Sequence, residues 1–128
     1  MIDHLSFGVS DLARATAFYD AVLATLGYVR VLTHARASGW GRPGDKDEPF
    51  AVIAAGDRAR APGDGCHLAF TAPDRDAVHR FHAEALRLGA TDEGAPGPRP
   101  QYGAGYYAAF ARDPDGHRIE AVLHEQTR

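Results

Sequence analysis

Two stretches of this chain read alike at one fixed spacing. His4-Leu5-Ser6-Phe7 returns as His67-Leu68-Ala69-Phe70, 63 positions later. Asp11 and Asp74 keep that offset, as do Phe18 and Phe81, and the apolar run after each copy ends in Leu-Gly, at Leu26-Gly27 and Leu88-Gly89. One such match is cheap; several in one register point to two tandem copies of one supersecondary unit. A chain of 128 residues has the length of one domain, so the copies are expected to share a core. The reading places modules at about 1–56 and 65–124, joined by an Arg/Ala/Gly/Pro-rich linker at 57–64.

Each module opens on an alternating strand. Leu5, Phe7 and Val9 take one face while His4, Ser6 and Gly8 take the other; Leu68 and Phe70 oppose His67, Ala69 and Thr71. Period-two alternation thus sets His4 and His67 on equivalent faces, away from the large apolar side chains. A helix follows each strand. Its first stripe is Ala15, Phe18, Tyr19, Val22, Leu23 and Leu26, with Ser10 expected as N-cap. Its second is Val78, Phe81, Ala85 and Leu88, with Asp74 as cap. Strands are expected at 28–35, 37–42 and 50–55, then at 90–93, 106–112 and 117–124, with Asp92–Gly105 left as a long Pro/Gly-rich loop. Strand, helix and three strands, twice over, make the expected fold class α+β.

Composition narrows the function. Fourteen basic against seventeen acidic residues leave a net charge of −3, which argues against binding a phosphate backbone. The single cysteine, Cys66, excludes an internal disulfide and a thiolate-rich zinc site. No apolar stretch approaches membrane-span length, and the first residues lack the pattern of a signal peptide. The expectation is a cytoplasmic protein with no nucleic-acid or membrane partner.

The turn Asp113-Pro114-Asp115-Gly116 leads into a strand on which Glu120 shares the outward parity of Arg118 and Val122. His4, His67 and Glu120 then form a set of two imidazoles and one carboxylate, a facial triad suited to a divalent ion such as Fe, Mn, Ni or Zn. One ion per site is expected.

His4 on the first strand, Ser10-Asp11-Leu12 opening the helix, and Asp113-Pro114-Asp115-Gly116-His117-Arg118-Ile119-Glu120 near the end resemble the vicinal oxygen chelate superfamily. This group holds glyoxalases, bleomycin resistance proteins and extradiol dioxygenases. The resemblance spans essentially the whole chain. It implies a glyoxalase-like fold, two tandem βαβββ modules whose mixed sheets curl into cups, together with a small-molecule substrate and a homodimer with shared metal sites, His4 coming from one chain and His67 with Glu120 from the other. It leaves lyase, isomerase, dioxygenase and thiol-transferase chemistry open. The segment from Phe50 to Ala55 offers no further donor, which speaks against glyoxalase I. The segment from Pro98 to Phe110 has neither lysine nor serine, which speaks against a fosfomycin transferase.

The resemblance also implies Tyr106 in the cup, and Tyr106 and Glu120 are the catalytic candidates. Trp40, Arg99, Tyr102 and Tyr106 are the candidate substrate contacts, and Arg99 suits an anionic substrate. Arg42 and, at the pocket rim, His124 are weaker candidates. His79, His82 and His117 are read as solvated, and Cys66 as a small buried apolar side chain. The alternative function is a resistance-type protein that sequesters a small aromatic compound, with Trp40, Tyr102, Tyr106 and Tyr107 lining a non-catalytic cup.

Overall fold

The computed structural model describes Met1–Gln126. The first module runs β1 (Leu5–Val9), α1 (Leu12–Ala24), β2 (Val29–His34), β3 (Ala37–Gly41) and β4 (Phe50–Ala54). The second repeats it as β5 (Leu68–Thr71), α2 (Arg75–Arg87), β6 (Thr91–Pro98), β7 (Tyr106–Arg112) and β8 (Arg118–His124). The sheets have matching orders, β1-β4-β3-β2 and β5-β8-β7-β6, and in each the opening strand pairs in parallel with the last. The expected α+β fold of two βαβββ units with mixed sheets is what forms.

Apolar periodicity builds the core. The expected stripe of α1 is buried along its whole length, and Val78, Phe81 and Ala85 of α2 are fully buried. The helices cover the face of the sheets that carries Phe7, Val9, Phe50, Ala109 and Ala121. Sealing a Phe such as Phe81 from water contributes about 1.5–3 kcal/mol. Gly27 and Gly89 end the two helical segments at φ +91° and +99°, a conformation that a residue with a Cβ reaches only with strain.

Contacts between modules are specific. Phe50 meets Phe70 edge-on at 5.1 Å. The Asp113 turn of the second module docks onto the β1–α1 junction of the first. Tyr19 donates to Asp113 Oδ2 at 2.5 Å, and Ser10 N–H donates to Asp115 Oδ1 at 3.0 Å. His117 stacks on Phe7 with centroids 4.0 Å apart, its Nε2 lying 3.0 Å from the Gly8 carbonyl oxygen. Burial pushes the Asp113 carboxyl above its ordinary pKa, although Tyr19 and two backbone N–H groups act the other way.

Several expectations change. Asp11, not Ser10, caps α1, because its carboxylate accepts from Arg14 N–H at 3.0 Å. His117 is buried rather than solvated, since the turn carrying it is pressed against the other module. His82 is also buried, 2.9 Å from Asp92 Oδ1, which ties α2 to β6. His79 is exposed as expected, with Nε2 2.6 Å from the Tyr107 hydroxyl. Cys66 is exposed instead of buried, because it precedes β5 rather than alternating within it. The loop from Asp92 is mostly strand: β6 reaches Pro98, and a short 3-10 turn follows at Pro100–Tyr102.

Candidate functional site

The registers decide which side chains share the open face of the second sheet. Glu120 pairs with Ala69 on one side and Phe110 on the other, and Tyr106 pairs with His124. Paired residues project to one face, so Tyr106, Phe110 and Glu120 share a face with Ala69. His67, two residues before Ala69, continues that face.

Glu120 is 0% exposed, an unusual place for a carboxylate. Tyr106 donates to its Oε2 at 2.5 Å. Its Oε1 lies 2.9 Å from His67 Nε2, yet has no hydrogen bond. An unsatisfied buried carboxylate oxygen is costly. An imidazole nitrogen and a carboxylate oxygen this close suit a shared cation, as both are common ligands of divalent metals. Burial and the adjacent Glu120 push the Tyr106 phenol up to about 12. At neutral pH it is therefore a hydroxyl that donates to Glu120.

His4 does not reach this pair within the chain, and no group of three His, Cys, Asp or Glu side chains converges among the described residues. It stands exposed ahead of β1, its Nδ1 2.5 Å from Asp3 Oδ2. That carboxylate raises the His4 pKa, chiefly through the hydrogen bond. In the neutral tautomer with the proton on Nδ1, Nε2 keeps its lone pair, the orientation that a carboxylate partner imposes on many ligating histidines. Asp3 was not among the sequence-derived candidates; a carboxylate adjoining a candidate ligand was the available signal.

The remaining candidates divide. Tyr102 is exposed and meets Tyr106 edge-on at 5.4 Å, and His124 meets Tyr106 edge-on at 5.0 Å. The Arg99 guanidinium lies 5.5 Å from the Phe110 ring centre. A hollow of about 240 Å³ here is lined by His67, Tyr102 and Phe110 among others. Trp40 does not join this cup: it is buried beside Tyr19 and Phe50, and its indole N–H donates to Asp20 at 2.9 Å. Its edge borders a different cavity of about 450 Å³ at the module junction, lined also by Leu5, Arg42, Phe50 and Phe70 but by neither His67 nor Glu120. Tyr107 points to the opposite face, with Arg75 stacked 4.3 Å above its ring.

A family model for the Glyoxalase/Bleomycin resistance protein/Dioxygenase superfamily matches residues 1–121. The chain belongs to this superfamily. A glyoxalase/bleomycin resistance protein from Albidiferax ferrireducens is 32% identical, with a TM-score of 0.79, over 94% of this chain and 95% of that one. A glyoxalase/bleomycin resistance protein/dioxygenase family enzyme from Burkholderia phytofirmans is 18% identical, with a TM-score of 0.71, over 97% and 98%. A fosfomycin resistance protein from Mesorhizobium loti is 22% identical, with a TM-score of 0.68, over 98% and 92%. The last two likenesses carry the fold alone. No curated protein matches the chain. No helix among the described residues is long and apolar enough to cross a membrane.

Proposed function

We propose that this superfamily member is a divalent-metal-dependent enzyme acting on a small oxygen-chelating substrate. His67 and Glu120 of one chain and His4 of a second copy would hold the ion. The observation that carries the reading is the buried Glu120 Oε1, without a hydrogen bond and 2.9 Å from His67 Nε2. A bound divalent ion supplies positive charge to polarise substrate oxygens.

The chain's own residues do the rest. Tyr106 fixes the Glu120 carboxylate by donating to Oε2, leaving Oε1 toward His67. Asp3 orients the His4 ring by accepting from Nδ1–H, leaving Nε2 free. Phe110, Tyr102 and Tyr106 wall the cup and limit water around a bound substrate. Completion by a second copy is supported by the first module's open face. There Ile53 and Val29 lie exposed at 39% and 41%, Ile53 being paired with Gly8 on the face that Ser6 and His4 continue.

The test is metal uptake by protein purified under metal limitation and then reconstituted with Fe, Mn, Ni or Zn. The expected result is one ion per site in the wild type and loss of specific uptake in both His4→Ala and Glu120→Ala. A wild type that takes up no ion specifically, but binds an aromatic compound equally well with chelator present, would replace this reading with sequestration.

A further inference from the structure

We propose that Arg99 is the specificity residue of this cup, and that the substrate is a small planar compound, aromatic in type, carrying an oxyanion such as a carboxylate. The proposal rests on the cup being the substrate site.

Its first support is where the guanidinium lies. Gly94 pairs with Phe110 and Gly97 pairs with Ala108 across β6 and β7, so a Cβ at either glycine would project onto the face shared with Glu120. That Cβ would come within 3.1 Å of Arg99 Nη2 at Gly94 and 3.3 Å of Nη1 at Gly97. The two glycines thus leave a bed on the open face for the guanidinium, with β7 between it and the strand that carries Glu120.

The second support is charge. Arg99 donates Nη1–H to the carbonyls of Gly97 at 2.9 Å and Pro98 at 3.4 Å, and Nη2–H to that of Ala95 at 2.6 Å. These bonds fix the group but are dipolar and leave its charge intact. Neighbouring arginines on the same face are neutralised: Arg112 pairs with Glu93, and Arg118 pairs with Asp64 and lies 3.7 Å from Glu93. No carboxylate among the described residues forms an ion pair with Arg99. A fixed, partly buried guanidinium without a counter-charge is an oxyanion receptor.

The third support is shape. Phe110 lies beneath the guanidinium, and farther along the same face Tyr106 meets Tyr102 edge-on at 5.4 Å. Flat faces next to a cation favour a planar, polarizable body over a saturated one.

The experiment compares benzoate with its neutral isostere benzamide. Affinities are read by titration calorimetry and amide chemical shifts on full-length protein at fixed ionic strength with EDTA. The chelator removes any bound ion, so failure here is distinct from failure of metal uptake. Wild type is expected to bind benzoate at least about tenfold more tightly than benzamide, a margin in keeping with a hydrogen bond to a charged group. The largest shifts should fall at Gly94, Arg99 and Phe110. Arg99→Gln should abolish the preference and Arg99→Lys should restore part of it, with both variants shown to be folded by the dispersion of their amide shifts. Equal affinity for the two compounds in wild type, or a preference that survives in Arg99→Gln, overturns the proposal.

Discussion

Under the proposed metal site, Glu120 carries opposite stability terms with and without the ion. Buried with one oxygen unsatisfied, it is a liability to the metal-free fold. Glu120→Gln is therefore expected to melt no lower than the metal-free wild type, since the change removes a buried charge without removing volume. With metal at a hundredfold over its Kd, wild type alone should gain about 2.7 kcal/mol, read as a rise in melting temperature of several degrees. Asp113 gives a second residue-scale prediction. Tyr19→Phe removes a buried hydrogen bond to a carboxylate, at a cost of about 1.5–3 kcal/mol in urea unfolding. Because burial raises the Asp113 pKa in the folded state above 3.8, the native state holds this proton longer than the unfolded chain does. Stability from this group is then full below pH 3.8 and declines as pH rises through the raised value. Asp113→Asn should flatten that decline in a pH series of unfolding curves.

The elements separate what local sequence encodes from what only tertiary contact decides. Both helices and strands β2, β3, β7 and β8 were legible because apolar periodicity and a Pro-Asp-Gly turn act over a few residues. Choosing between Ser10 and Asp11 as cap was not, since both side chains suit the role and the decision lies in backbone angles at the junction. Asp11→Ala is expected to cost about 1 kcal/mol in thermal unfolding, whereas Ser10→Ala should stay within about 0.5 kcal/mol. Strand β6 was hidden for a different reason. Thr91–Pro98 holds two prolines and two glycines, a poor strand by composition, yet it is a sheet edge with shifts in register at Gly94 and Gly97. Edges and bulges are where prolines and glycines are tolerated, and here the glycines also make room for Arg99.

At the scale of the whole molecule, the duplication was readable from one offset, and it identified the face that carries His67 and Glu120. What no local pattern revealed was the docking of the Asp113 turn, which buries His117 against Phe7 across 110 residues of chain. Nor did it reveal that Trp40 belongs to the core. Sequence parity placed the three donors on equivalent faces, but the chain brings only two of them together. If the third comes from another copy, sedimentation of the purified protein should show a dimer, with twofold symmetry giving two equivalent sites. The most direct measurement is metal content after co-refolding equal amounts of His4→Ala and Glu120→Ala. Neither variant alone should take up the ion. In a mixed dimer one site receives both substitutions and the other neither, so random pairing should return about a quarter of the wild-type metal. No recovery on mixing, or full uptake by either variant by itself, would contradict a centre shared between two chains.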